Sequence, residues 1–166
     1  QRRGWNHAAL PFRSESTGKF YMFAGDETTL LGGTPGYPGE PERQAGWIHV
    51  MEWDEWDEPR EVARYKVPEG GSHNLWVEDD ILYVAYYQGG LRLVDVSGEL
   101  MGDLYRQGRE IAYWMSYDPE GYVPNAPFAW GPQPHKGTIF FSDHNSGLWA
   151  VRLKPLPDET GDASED

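Results

Sequence analysis

One pattern of short strands and tight turns recurs along this chain, and it constrains the fold more than any other feature. It is clearest in residues 72–97, SHNLWVEDDILYVAYYQGGLRLVDVS, where apolar and polar residues alternate around an acidic turn and a Gly-Gly turn. Alternation with a period of two is typical of half-buried strands. We therefore predict strands at 74–77, 81–87 and 91–96, with a weaker fourth strand over 99–107.

The same pattern returns at two other places. A shift of 57 residues places Gly90 on Gly147, and a shift of 44 residues in the other direction places it on Gly46. Each unit is then an antiparallel sheet of three or four strands, which cannot bury both faces alone, so the units must stack. Strand-only repeats of this length are typical of propeller blades. Residues 109–117 lack a convincing helical period, and we favour a strand or a loop there.

The sequence thus predicts an all-β chain: a partial β-propeller of about three four-stranded antiparallel blades, or a fragment of a larger propeller. The propeller region is 1–155, with blades at about 4–66, 67–108 and 109–154, and an acidic tail follows at 156–166. The composition agrees with this fold, because 8 Trp, 10 Tyr and 6 Phe suit sheet surfaces, while 20 Gly and 13 Pro suit turns.

The charge and the absent residue types exclude several partners. The net charge is −13, and removing the five acids of residues 158–166 still leaves −13 + 5 = −8. An acidic surface repels phosphate backbones, so we expect no nucleic-acid partner. No apolar run reaches about 18 residues, so we expect no direct membrane span. The chain has no Cys, which excludes disulfides and thiolate metal sites. Because Gln1 comes first and no signal peptide is visible, we expect a processed or truncated start.

Residues 82–97, LYVAYYQGGLRLVDVS, resemble the LVIVD repeat, whose blades end in a small-Leu-Arg-Ile/Val-Val-Asp-Val-Ser stretch after a Tyr-Val-Ala strand. The preceding SHN and the later SDHNSGLWAVRL are similar to the same family, and the resemblance covers about residues 4–154. It implies a β-propeller of the bacterial cell envelope, located outside the cytoplasm in the periplasm or at the cell surface, with no established biochemical role. Complete rings of this kind have about six to eight blades.

Three blades do not close such a ring. An open arc exposes two sheet faces and unpaired strand edges, which favours aggregation. We therefore expect either a C-terminal fragment of a longer propeller or a subunit whose ring is completed by other chains. A flattened sandwich of the three units is the third alternative.

Two histidines are candidate metal ligands. His73 begins an inner strand in the SHN motif, His7 has a comparable context in WNHAALPF, and Trp130 occupies the matching position of the third unit, since 73 + 57 = 130. If strand-entry residues line a central channel, His7 and His73 face one ion there, and imidazole binds transition metals well. Two His without a third ligand make an incomplete site. The simpler alternative is structural, with each imidazole bonded to the backbone of a neighbouring blade.

Calcium is a second possible cofactor, because Asp143 and Asn145 alternate in DHNSG as oxygen ligands do in calcium loops. The series stops after two oxygens, and a hairpin turn that uses Asn and Gly explains it better. We expect His49 on a strand face and His135 in an exposed turn.

Motifs for covalent catalysis are missing from the sequence: it has no G-x-S-x-G elbow, no P-loop and no G-x-G-x-x-G before a helix. Acids cluster at 52–58 and 78–80, but these clusters fall in predicted turns. A glycosidase needs two carboxyl groups held across a cleft, so this arrangement does not favour one.

Trp and Tyr outnumber what one small core needs, and exposed aromatic residues among polar ones are typical of interface hot spots. Packing between blades and sugar stacking are the alternatives. The long Gly- and Pro-rich loop 28–45 and the corner at Trp53 and Trp56 are where we expect contacts. The candidate partner-binding residues are Tyr37, Trp53, Trp56, Tyr86 and Tyr87.

The leading hypothesis is a non-catalytic extracytoplasmic propeller module that binds a protein partner or acts as a subunit of a larger envelope assembly. The alternative is a metal-dependent propeller enzyme, an oxidoreductase or a hydrolase, that uses the channel histidines His7 and His73. The sequence does not decide whether the protein is an enzyme.

Overall fold

The chain is all-β. The computed structural model describes residues 5–27, 46–53, 58–68 and 70–154, and these contain twelve strands and no helix. None of the described residues forms a helix that could cross a membrane. The strands are β1 (Trp5–Arg13), β2 (Phe20–Glu27), β3 (Ile48–Trp53), β4 (Arg60–Tyr65), β5 (Leu75–Glu78), β6 (Ile81–Ala85), β7 (Leu91–Asp95), β8 (Gly102–Asp103), β9 (Glu110–Trp114), β10 (Ala129–His135), β11 (Thr138–Asp143) and β12 (Gly147–Val151).

The strands form three sheets. The first has the order β1-β2-β3-β4-β8, the second β5-β6-β7-β9, and the third β10-β11-β12. All neighbouring strands are antiparallel except β4 and β8, which pair in parallel over two residues. The predicted antiparallel sheets are therefore confirmed, while the division of the chain into three blades at the stated boundaries stays a prediction.

The second sheet follows the predicted strands closely, with one exception. The fourth strand predicted over 99–107 is wrong: the strand that pairs with β7 is β9, within the 109–117 segment where a strand or loop was predicted. Leu100 and Leu104 are buried between the first two sheets, and only residues 102–103 extend, against β4. Their apolar character therefore reflects burial in the space between sheets rather than a place in the second sheet.

The second sheet lies between the other two, and side chains on both of its faces are buried. In β6, Leu82 and Val84 pack in a cluster with the first sheet, whereas Tyr83 and Ala85 pack with the third. This is the period-2 alternation of a strand that has a neighbour on each side. The first cluster is Tyr21, Phe23, Ile48, Val50, Ala63, Tyr65, Val67, Leu75, Leu82, Val84, Tyr86, Val94, Val96, Leu100 and Leu104; the second is Ala85, Leu91, Leu93, Ala129, Ile139 and Phe141.

Equivalent positions in the three sheets can be read from the strand pairing. Ala85 lies opposite Leu91, just as Ser142 lies opposite Leu148, so the 57-residue shift is correct. In the first sheet the last pair between β2 and β3 is Gly25 with Ile48, just as Ala85 with Leu91 is the last pair between β6 and β7. Ile48 therefore corresponds to Leu91, and the shift is 91 − 48 = 43 residues. The predicted 44-residue shift is therefore wrong by one residue. A slip of one residue exchanges the two faces of a strand, so the correction decides which side chains face the next sheet.

Candidate metal centre

Three segments meet where β1 begins, β2 ends and β5 begins. His7 lies in β1, Glu27 is the last residue of β2, and His73 comes just before β5. The register of β1 against β2 shifts between Asn6 and Ala8, so His7 is the extra residue of a β-bulge, a feature that re-aims a side chain. An isolated parallel bridge from Glu27 to Ser72 holds the third segment against the end of β2.

His7, Glu27 and His73 each offer one ligand atom, and these atoms lie within 4.8 Å of one another. Nδ1 of His7 is 3.1 Å from Oε2 of Glu27, and Nε2 of His73 is 3.8 Å from Oε1. Ligand atoms around a tetrahedral zinc ion are about 3.3 Å apart, as bond lengths of about 2.0 Å require. The spacing therefore suits a small metal ion with little movement of the side chains.

Hydrogen bonds fix which nitrogen of each imidazole faces the carboxylate. Nδ1–H of His73 donates to the carbonyl oxygen of Trp130 at 2.6 Å, which leaves the lone pair on Nε2. Nε2–H of His7 donates to Oδ1 of Asn74 at 2.9 Å, so Nδ1 is the nitrogen that faces Glu27. The second nitrogen of each ring thus faces the Glu27 carboxylate, an arrangement that holds a cation, either a proton or a metal ion, between nitrogen and oxygen. Outer partners of this kind orient the ligands in metal sites.

Glu27 is held in place by Tyr87. The phenolic O–H of Tyr87 donates to Oε1 of Glu27 at 2.6 Å, and the Tyr87 ring is fully buried. Burial and then the Glu27 carboxylate raise the pKa of Tyr87, so the phenol stays protonated and keeps donating. Tyr87 has a φ of 39°, an uncommon conformation for a bulky residue, within the turn from β6 to β7.

Burial also keeps His73 neutral. Desolvation lowers its pKa, the nearby His7 lowers it further, and the hydrogen bond to Trp130 and the charge of Glu27 oppose the shift only in part. A neutral imidazole is the form that binds a metal, so His73 needs to lose no proton at neutral pH.

Aromatic rings cover one side of the cluster. The centroid of the Trp130 ring lies 4.3 Å from that of His73, and the Tyr87 ring lies 5.3 Å from it. His144 stacks on the far side of Trp130 at 5.3 Å. The His7 side chain remains 30% exposed, so an ion reaches the ligands from the His7 side.

The donor set is two imidazole nitrogens and one carboxylate. Such a set favours transition metals such as zinc or iron, whereas calcium prefers six or more oxygen ligands. Three protein ligands leave at least one coordination position open, which is where catalytic zinc sites bind water or substrate. The structure thus brings together the two predicted histidines and adds Glu27, a third candidate ligand that the sequence analysis missed.

The DHNSG segment forms a turn, as predicted. The Oδ1 atom of Asp143 accepts hydrogen bonds from the backbone N–H groups of Asn145 and Ser146, and Oδ2 accepts from Ser116 and Phe128. The positive φ belongs to Gly147, at 93°. Because the Asp143 carboxylate is occupied by its own turn and neighbours, this segment is a structural element.

His49 is a second buried histidine with a different arrangement. It lies in β3, as predicted, and both of its nitrogens bond to acids: Nε2 to Asp26 at 2.9 Å and Nδ1 to Glu61 at 3.0 Å. The hydrogen bond to Asp26 raises the pKa of His49; burial opposes the shift, and Glu61 adds to it. His49 therefore ties three strands of the first sheet together.

The predicted partner-binding residues have different locations. Tyr86 and Tyr87 are fully buried, so the expectation that they form a contact surface is wrong. The hydroxyl of Tyr86 donates to the carbonyl of Tyr65, and that of Tyr87 binds Glu27, which explains how two phenols are tolerated inside. Trp53 is half-buried, with its ring centroid 6.0 Å from that of Phe20. Tyr37 and Trp56 lie outside the described residues.

No protein family matches this chain in a scan of family profiles, and no curated protein has significant similarity to it. The resemblance to LVIVD repeats therefore stays a prediction.

Proposed function

We propose that this chain is a metal-binding module, with a transition-metal ion held by Nδ1 of His7, Nε2 of His73 and the carboxylate of Glu27. One observation carries the proposal: the two imidazoles direct one nitrogen each at the same carboxylate, while their other nitrogens donate to Asn74 and Trp130. Histidines that bind metals almost always donate their second ring N–H to an outer partner in this way.

We further propose that the three sheets are consecutive blades of a β-propeller. The first strands of the sheets support this, because β5 contacts both β1 and β10, as inner strands around a common axis would. The metal ligands come from β1, from the end of β2 and from the entry to β5, so the ion would sit beside that axis. The sequence resemblance adds an extracytoplasmic location to the proposal.

An ion at this point would connect the sheets. His7 and Glu27 belong to the first sheet, His73 enters the second, and its Trp130 partner belongs to the third. A ligand that binds only the folded state stabilises it in proportion to its affinity. In a non-catalytic role, the bound ion would stabilise the arrangement of the sheets, and this requires only the contacts described above.

An enzymatic role is the second candidate, and the open coordination position favours it. A bound metal there would lower the pKa of a coordinated water or polarise a carbonyl group. His7, on the exposed side, leaves a path for a small substrate. We assign no reaction.

Metal analysis of the purified chain tests the proposal. After chelator treatment and dialysis, zinc or cobalt is titrated and the bound metal is counted by mass spectrometry. We expect one ion per chain, and Glu27→Gln and His73→Ala are expected to weaken binding by at least about 10-fold. The absorption of bound cobalt reports nitrogen and oxygen ligands directly.

The matched control is His144→Ala. His144 stacks on Trp130 beside the centre but contributes no ligand atom, so its loss should leave metal binding unchanged. Circular dichroism shows whether each variant is folded. Wild-type protein that binds no stoichiometric metal, or a His73→Ala variant that binds as well as His144→Ala, would refute the proposal.

A further inference from the structure

We propose that the outward face of the third sheet binds the outward face of the first sheet in a second copy of this chain, so that two copies close one ring of six sheets. This goes beyond metal binding and concerns a different surface. It follows from a comparison of the two sheet-to-sheet junctions inside the chain.

The first junction joins the first and second sheets. Ile48 and Val50 of β3 pack against Leu82, Val84 and Val94 of the second sheet. The second junction repeats this arrangement. Leu91 and Leu93 of β7 pack against Ile139 and Phe141 of the third sheet. Since 91 − 48 and 93 − 50 both equal 43, equivalent positions of β3 and β7 pack against the next sheet at both junctions.

The third sheet carries those positions again. Adding 57 to Leu91 and Leu93 gives Leu148 and Ala150, and adding 57 to Tyr83 gives Phe140. Leu148 is 77% exposed and Phe140 is 37% exposed. Among the described residues, no further sheet covers them. The third sheet therefore has the face that packs against a following sheet at the other two junctions, but no sheet among the described residues packs against it.

The first sheet carries the complementary half. The pair Gly25 and Ile48 in the first sheet corresponds to the pair Ala85 and Leu91 in the second sheet. For β2 and β6 the shift is therefore 85 − 25 = 60 residues, so Met22 occupies the position of Leu82. A shift of 43 places Met51 on Val94. Met22 and Met51 lie directly opposite each other, on the face that points away from the second sheet.

The chain therefore carries the two halves of one junction on its first and third sheets. A second copy of the chain fits both halves at once. Its first sheet can cover the third sheet of the first copy, and its third sheet can cover the first sheet of the first copy. Such an interface is head-to-tail, and it closes when the rotations add up to a full turn. Six sheets lie within the range of about four to eight blades that propellers use.

The molar mass in solution tests the inference. Sedimentation velocity and light scattering are run on the whole chain, from about 1 μM to about 100 μM, a range that covers dissociation constants typical of weak to moderate dimers. The 18.9 kDa chain is expected to show twice its mass. Leu148→Asp is expected to give the monomer, and so is Met22→Gln at low concentration. The control is Tyr122→Asp, since Tyr122 is 93% exposed and belongs to no strand of the three sheets.

A mixing experiment distinguishes a head-to-tail interface from a symmetric one. Each of the two variants keeps one intact half, so a mixture of Leu148→Asp and Met22→Gln can form one wild-type junction, and we expect partial recovery of the dimer. If the third sheets paired with each other instead, Met22→Gln would remain a dimer. That result, a monomeric wild type at every concentration, or an open series of larger oligomers would overturn the inference.

Failure of this inference is separable from failure of the metal proposal. The metal ligands lie at the first junction and Leu148 lies on the third sheet, so a folded Leu148→Asp monomer should still bind one ion. Measuring its metal content together with its mass tests each proposal independently.

Discussion

Asn74 gives the most direct test of how the metal centre is oriented. Its Oδ1 atom accepts the Nε2–H of His7, which directs Nδ1 of the same ring at Glu27. The Asn74→Ala substitution removes that acceptor and leaves all three ligands in place. The backbone of Asn74 stays anchored, because its N–H donates to Trp130 and its carbonyl accepts from Ala85. The sheet should therefore remain intact.

The expected loss follows from the loss of orientation. Without its acceptor, the His7 ring is free to rotate and to adopt the other tautomer, so part of the ligand set is misaligned before binding. Removal of an outer partner of this kind typically costs about 10- to 100-fold in metal affinity, which is about 1.4 to 2.8 kcal/mol. Because His7 is partly exposed and its ring also reaches Glu27, we expect a value near the lower end.

Competition titration with a chromophoric chelator measures the affinity for zinc in wild type, Asn74→Ala and Asn74→Asp. The Asp variant keeps an oxygen acceptor, so it should bind at least as tightly as wild type. Asn6→Ala, an exposed neighbour in β1, is the matched control and should change the affinity less than about twofold. An Asn74→Ala variant that binds as Asn6→Ala does would refute the idea that Asn74 positions His7.

Three further predictions concern stability, each measured by urea unfolding. The pKa of His49 is raised in the folded state, so its charged form stabilises the fold fully below about pH 6.5. This stabilisation is lost as the pH rises through the folded-state pKa. His49→Gln should therefore flatten the dependence of the unfolding free energy on pH. Phe141→Ala should cost about 3 to 5 kcal/mol because the ring is fully buried, whereas Tyr122→Ala should cost less than about 0.5 kcal/mol. Gly137→Ala should cost about 1 to 2 kcal/mol, because its φ of 74° is unfavourable for a residue with a Cβ. Gly90→Ala should destabilise the fold much more. Gly90 has a similar φ of 73°, but there the new Cβ would also lie 2.3 Å from a backbone oxygen. Equal losses for the two glycine variants, a pH profile unaffected by His49→Gln, or similar losses for the two aromatic variants would contradict the respective argument.

The strands of the second sheet could be predicted because both of its faces are buried and local alternation records that burial. The 57-residue shift was correct because both turns place a glycine of positive φ directly before the equivalent residues Leu91 and Leu148. The first unit differed: Gly90 has a φ of 73°, but Gly46 has a φ of 156° and occupies another point of its turn. Matching glycines therefore produced an error of one residue, and with it the wrong face of β3.

The third ligand could not be predicted from local sequence. Glu27 reaches His7 only through the pairing of β1 with β2, across a bulge that no local pattern reports. The sequence contains 27 acidic residues, and nothing in the neighbourhood of Glu27 distinguishes it from the others. Tyr86 and Tyr87 were misplaced because a surplus of aromatic residues does not show which of them are buried. Gly70 lies against the backbone of Tyr86 and Gly89, and both tyrosine side chains are fully buried.

The bulge at His7 has one more consequence. Asn6 and Ala8 lie opposite Asp26 and Gly25, which are consecutive residues, so a chain lacking residue 7 would continue the same ladder without interruption. The imidazole is therefore an addition to the edge of an otherwise regular hairpin. Gain or loss of this single residue would add or remove one of the three proposed ligands and leave the pairing of β1 with β2 in register.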